Sequence, residues 1–331
     1  MKKTVALLLT LALVFMLAAC GADIAESDDT NAPESSDSAS SSQDGSTGND
    51  QNSNDDTDAP ENGDSESTGN DKNDNDDKNE LSFSEIVVVD NDECTIKITD
   101  IDPDNMYGFT VKVYLENKSK DKTYMYSAES ASINGVQCDP FFAAEVAAEK
   151  KSNNEINFSD IDFDANGIGD YTDIEITFKV YDSDDWLSDE VAGETVHIYP
   201  YGEDKATAYV RESQPTDNVI VDNEYVTIIV TGYDNDAFWG YSVNLFLINK
   251  TDKDIMIGAD EVSVNGYMAD PFYAASVTAG KCAFSSMSWF DDTFEENDIA
   301  TVEEIKFKLT VFDDTDWSDD YLVDEIVTLN P

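Results

Sequence analysis

From residue 81 onward the chain is written twice, and that duplication limits the fold more than any other feature. Val89-Asp90-Asn91 recurs as Val221-Asp222-Asn223, and Asn117-Lys118-Ser119 as Asn249-Lys250-Thr251, both 132 residues later. Asn134-Gly135 recurs as Asn265-Gly266, and Asp139-Pro140-Phe141-Phe142-Ala143-Ala144 as Asp270-Pro271-Phe272-Tyr273-Ala274-Ala275, now 131 residues later. Val180-Tyr181-Asp182 against Val311-Phe312-Asp313, and Trp186 against Trp317, keep that second offset. One residue was therefore gained or lost between the Asn-Lys and Asn-Gly turns. The repeat predicts two like units, residues 81–200 and 218–331, joined by a polar segment over 201–217. Each unit is long enough for a core of its own.

Both copies read as strands. Thr110 to Leu115 alternates polar and apolar residues, and Ser242 to Ile248 is its more apolar counterpart. Ile174 to Tyr181 and Ile305 to Phe312 are alternating runs rich in β-branched and aromatic residues, which suit a pleated surface with one buried face. Asp90-Asn91, Asn117-Lys118, Asn134-Gly135 and Asp182 to Asp185 punctuate them as turns. Short strands at this spacing predict an all-β chain, with an antiparallel β-sandwich of seven or eight strands in each copy. The segment Pro140 to Lys150 is alanine-rich, with Asp139 as a cap and Pro140 at the first position, and predicts a helix. An extended edge segment is the alternative, because its twin contains Gly280.

The N-terminus carries an address. Lys2 and Lys3 precede an apolar run from Val5 to Leu17, too short for an ordinary spanning helix, and small residues lead to Cys20; this is the pattern of a secretory signal over 1–19. Residues 20–80 follow as a tract of Ser, Asp, Asn, Glu, Gly and Thr, which cannot bury enough apolar surface to offset chain entropy. They predict a disordered acidic tether, roughly 40 Å end to end and further stretched by its own charge. With 19 Lys+Arg against 72 Asp+Glu the formal net charge is −53. Such a chain repels nucleic acid and anionic headgroups. A single histidine, His197, and a single arginine, Arg211, leave no histidine-rich zinc site, no choice of histidine bases and no arginine clamp.

Leu17-Ala18-Ala19-Cys20 resembles the lipobox of bacterial lipoproteins. That resemblance implies cleavage before Cys20 and a diacylglyceryl thioether on its sulfur, two acyl chains being what stable anchoring requires. Together with the polar tether and the duplicated strands, the chain resembles Gram-positive surface lipoproteins of the Firmicutes with tandem immunoglobulin-like domains of unknown function. The resemblance implies an exposed location on the outer face of the cytoplasmic membrane. It also implies a cell-surface binding or adhesion role, with no catalytic residues to carry over. The partners expected are the membrane through the lipid anchor, and a cell-surface protein or glycan. The alternative is an auxiliary carbohydrate-binding lipoprotein that presents glycans to a transporter or hydrolase.

Several constellations invite chemistry. Asp162, Asp164, Asn166, Asp170 and Asp173, with Gly167 at the sharp turn, fit the spacing of a twelve-residue calcium loop. Position 12 is Asp rather than Glu, a strand follows, and the second copy loses the first carboxylate and the glycine. The plainer reading is a solvated acidic loop, so calcium is the one cofactor the sequence offers and none is certain. The acidic strand ends before Trp186 and Trp317 could hold a cation, and these tryptophans could stack on a sugar or a basic peptide; the alternative is that each closes its own core. Tyr107, Phe109, Phe238, Trp239 and Tyr241 cluster at matching strand starts, as a carbohydrate platform or as core. Asn117 and Asn249 begin glycosylation sequons but suit turns better. With Cys20 claimed by lipid, Cys94, Cys138 and Cys282 remain, as one Cys94–Cys138 pair with a free thiol or as three separate thiols.

Overall fold

The computed structural model describes residues 81–331 apart from 159–162, 164, 186, 239 and 316–319. The signal segment, Cys20 and the tether lie outside the described residues. The first repeat runs β1 (Ile86–Asp90), β2 (Cys94–Asp102), β3 (Phe109–Asn117), β4 (Tyr124–Ile133), β5 (Val136–Cys138), β6 (Ala143–Val146), β7 (Lys151–Phe158), β8 (Ile174–Asp182) and β9 (Ala192–Ile198). In the second, β10 (Asn218–Asp222), β11 (Val226–Ala237), β12 (Gly240–Asn249), β13 (Ile255–Val264), β14 (Tyr267–Met268), β15 (Ala275–Val277), β16 (Cys282–Trp289), β17 (Ile305–Asp313) and β18 (Val323–Leu329) follow the same order. A five-residue helix, α1 (Asp291–Glu295), precedes β17. The protein is all-β, in several sheets.

Strand order repeats as well as sequence. β1-β2-β3-β7 form one sheet and β10-β11-β12-β16 follow the same path, while β5-β4-β8-β9 correspond to β14-β13-β17-β18. The bulges recur too, between Val87 and Val89 and between Val219 and Val221. Alternation drives burial: β8 reads buried at every odd position from Ile174 to Asp182. Ile96, Val113 and Ile156 of the first sheet meet Tyr126, Ile133, Ile176 and Phe178 of the second in one core. Ile228, Val243 and Trp289 meet Ile257, Phe307 and Leu309 in the other. Each such side chain removed from water contributes about 1.5–3 kcal/mol before chain entropy is set against it.

The recurrent turn motifs prove to be hydrogen-bonding devices. Lys118 Nζ donates to Asp90 Oδ1 and to the Asn91 carbonyl, both at 2.6 Å, while Asn91 Oδ1 accepts from the backbone of Glu93 and Cys94. Lys250, Asp222 and Asn223 repeat the arrangement. Asn117 and Asn249 are buried, so the sequon reading gives way to the turn. Asn249 Nδ2 donates to the carbonyls of Lys253 and Val277, and its Oδ1 accepts from Thr251. Asn134-Gly135 and Asn265-Gly266 make the two-residue turns with positive φ at both positions, the backbone that Asn-Gly adopts at least cost.

Over residues 140–150 the helix gives way to the extended alternative. Residues 140–150 are not helical: Ala143–Val146 pairs antiparallel with Tyr124–Ser127, and Phe141 and Glu149 have φ of 45° and 57°. The physical reason is burial in alternation, since Val146 enters the core while Ala143 and Glu145 face water. Asp139 caps only a tight turn, accepting from the Phe141 amide at 2.9 Å. The polar 201–217 segment is a packed strap. The Tyr209 amide donates to the Asn134 carbonyl at 2.8 Å, the Thr207 amide to Thr172 Oγ1 at 3.0 Å, and Tyr209's ring lies against Phe246 and Phe284.

Asn249→Ala removes the buried amide's bond to the Val277 carbonyl and its cap on the Thr251 turn, and should lower unfolding stability by about 1–3 kcal/mol, read in urea denaturation; a change within a few tenths would remove the role given to this amide.

Candidate functional site at the junction of the repeats

Where the repeats meet, two sheets become one. β16 runs parallel to β5, pairing Cys282 with Val136, and the Cys282 amide donates to the Gly135 carbonyl at 3.1 Å. This joins β10-β11-β12-β16 to β5-β4-β8-β9 in a nine-stranded sheet. Gln137 secures the contact from the first repeat. Its Nε2 donates to the Ser276 carbonyl at 3.0 Å, and its Oε1 accepts from Thr278 N and Oγ1 at 2.8 and 3.0 Å. Glu175 accepts from Lys281 Nζ at 2.6 Å, with both side chains largely covered. His197 stands beside the same carboxylate at 3.2 Å and beside Asp173 at 2.8 Å.

A cleft of about 480 Å³ opens next to this seam. The first repeat supplies Gln137, Cys138, Asp139 and Phe163 to it, and the second supplies Asn244, Phe284 and Ser286. Asn244 and Ser286 are exposed and directly opposite each other on β12 and β16. Phe284 packs on Phe246 at 4.9 Å between centroids, so the aromatic wall is held from behind. The arrangement offers amide and hydroxyl groups on a firm floor with an aromatic side, which can hold a polar ligand against an apolar face. A second hollow, over β1–β3, is occupied by its own ion pairs, Lys97–Glu85 and Lys118–Asp90.

Of the described calcium-loop positions, Asn166 lines the cleft beside the seam. Asp162, Asp164, Trp186 and Trp317 lie outside the described residues, as does Cys20. Of the calcium positions, Asn166, Asp170 and Asp173 are described. Asp173 Oδ1 is held by His197 Nδ1, the Asn166 carbonyl accepts from Tyr209, and the Asp170 carbonyl accepts from Asn134. Asn134 Oδ1 also accepts from Thr172 and Asp173, so the side chain of the Asn-Gly turn shapes this loop. Asn265 does the same in the second repeat, accepting from Glu303 and Glu304. Among the described residues no group of three or more His, Cys, Asp or Glu side chains is arranged to hold a metal.

The acidic strand ends are similarly engaged. Asp182 pairs with Lys122 at 3.2 Å and accepts from the Asp184 amide. Asp313 pairs with Lys253 and accepts from Thr315, which holds its carboxyl down at about 2, the lysine hydrogen bond being the main cause. Phe109 and Tyr241 belong to the cores, whereas Tyr107 and Phe238 are exposed. Cys94, Cys138 and Cys282 are free thiols; burial pushes them up to about 11, 12 and 11, which keeps them protonated and poorly nucleophilic.

No protein-family model and no curated protein matches the chain. Among solved structures, that of a red sea bream transglutaminase aligns over 67% of this chain at 10% identity and a TM-score of 0.18. The aligned region spans 28% of that structure's own length. A likeness at this level carries no argument.

Gln137, Glu175, Thr278 and Lys281 escaped the sequence reading, although the duplication holds a signal for them. Their counterparts in the other copy are Met268, Lys306, Ala147 and Lys150. Three of these four positions change chemistry where the rest of the framework repeats.

Asp313 ties the stability of the second repeat to acid pH. Its carboxyl lies below the ordinary 3.8 in the folded chain, so its contribution is present above that value and is lost as pH falls towards about 2. Across that window Asp313→Asn should show a flatter loss of stability than the parent in acid titration of the melting midpoint; parallel profiles would contradict the pairing.

Proposed function

We propose that the chain is a lipid-anchored, extracytoplasmic, non-enzymatic binding or adhesion protein of the Gram-positive surface-lipoprotein kind. In this reading two tandem immunoglobulin-like β-sandwiches, 81–200 and 218–331, follow the signal segment, the lipidated Cys20 and the acidic tether. The observation that carries it is the junction cleft. It is an open surface assembled from both repeats, and its floor is fixed by backbone pairing. The polar side chains elsewhere that suggested chemistry in the sequence are spent on structure: Asn117 and Asn249 in turns, Asp182 and Asp313 with lysines, His197 between two carboxylates. Of the calcium positions, Asp173 is held by His197, while Asp162 and Asp164 lie outside the described residues.

The carbohydrate-binding alternative draws support from the cleft lining. Asn244, Ser286 and Gln137 beside Phe284 combine donors and acceptors with an aromatic face, the pairing that a sugar ring with one polar rim and one apolar face requires. A glycan and protein array probed with the full chain decides between protein and glycan partners. Asn244→Ala/Ser286→Ala should weaken the array signal about tenfold without moving the melting midpoint, because both side chains are exposed; an unchanged signal would place the binding surface elsewhere.

A further inference from the structure

The seam uses only half of what the duplication supplies. β16 ends its own four-stranded run and receives β5 there, and β7 holds the same place in the first repeat. Among the described residues no strand pairs with the outer edge of β7. The strand keeps an unbroken antiparallel register with β3, from Glu116–Lys151 to Phe109–Phe158, with no bulge and no proline. Such an edge is a ready template for another strand unless something blunts it.

The groups that receive the hairpin on β16 recur along β7. The Asn117 amide donates to the Lys150 carbonyl as the Asn249 amide does to Lys281, so Lys151, like Cys282, turns its own amide outward. The turn before each strand is the same. The Lys150 amide donates to the Ala147 carbonyl and Lys281 to that of Thr278, while Glu149 and Gly280 donate to Ser119 and Thr251. That places the Ala147 amide and the Glu145 carbonyl where the Thr278 amide and the Ser276 carbonyl meet Gln137. Lys150 stands in the place of Lys281. Lysine often keeps strangers off an edge, but Lys281 does the opposite, reaching Glu175 at 2.6 Å while largely covered. Lys150 is exposed and makes no ion pair among the described residues. Its neighbour Lys151 is already paired, with Glu116 at 3.2 Å.

Another copy of this chain does not suit that edge. Its own free hairpin, β13–β14, carries Met268 and Lys306 where Gln137 and Glu175 stand in the first repeat. It therefore lacks the amide and repels Lys150. We propose that the outer edge of β7 docks a β-hairpin of a different protein, one that lays a strand parallel to β7 and presents a side-chain amide and a carboxylate where Gln137 and Glu175 stand in the seam. Backbone pairing supplies affinity, and the amide and carboxylate supply selection. The surface is separate from the cleft and goes beyond it, since Asn244 and Ser286 take no part.

The missing hairpin can be written into the chain itself. Met268→Gln/Lys306→Glu changes two exposed side chains and gives the second repeat the amide and carboxylate of the first. Sedimentation velocity of the full chain in neutral detergent should show this variant associating in rows, at least about tenfold more strongly than the parent. Adding Lys150→Glu should return it to the parent's behaviour. Lys151→Pro should do the same, since it removes the outward amide at the first residue of a strand, where proline is tolerated. Melting midpoints check that each variant folds, and Lys150→Glu decides alone if Lys151→Pro does not. Association that survives Lys150→Glu, or a folded Met268→Gln/Lys306→Glu chain that sediments like the parent, overturns the proposal. The cleft reading is untouched by either result and rests on Asn244→Ala/Ser286→Ala.

Discussion

The pairing of β16 with β5 is the contact on which the arrangement of the molecule depends. One backbone hydrogen bond from Cys282 to Gly135 would be weak alone, worth about 1 kcal/mol net. It is held by Gln137, which satisfies three partners at once, and by the largely covered Lys281–Glu175 pair. The strap adds Tyr209 against Phe246 and Phe284, and Arg211, forked onto Asp217, lies over Phe246 at 5.7 Å. Polar and aromatic contacts thus act on the same seam from two sides. The cleft exists because that seam fixes Asn244 and Ser286 relative to Gln137 and Asp139.

The contact also gives the tandem a direction. The hairpin of the first repeat meets the β16 edge of the second, a heterologous contact that could in principle be repeated along a row of repeats. The chemistry that secures it is written only once. Where Glu175 meets Lys281, the corresponding free ends carry Lys306 and Lys150, like charges that oppose the same approach between chains. Gln137, with its three bonds, has Met268 as counterpart, which can make none of them.

Much of the fold was legible from the duplication. The Asn-Gly turns and the alternating cores of β3, β8 and β17 follow from local pattern, because burial on one face of a pleat needs only period two. Residues 140–150 misled because alanine and a plausible cap favour helix locally, while the open edge of β4 required a strand partner. That requirement is tertiary and leaves no trace in a short window. The strap was hidden for a related reason: polar composition reads as linker, yet Thr207 and Tyr209 are bound by residues 35 and 75 positions away. The junction residues carried no motif, only a departure from internal symmetry.

The two repeats belong to one compact unit. Differential scanning calorimetry of the full chain tests this most directly, on the parent and on Gln137→Ala/Glu175→Ala, which removes the side chains that secure the seam and leaves both cores intact. The account predicts one cooperative transition for the parent and two separated transitions for the variant. Two independent transitions already present in the parent, unmoved by the substitutions, would contradict it.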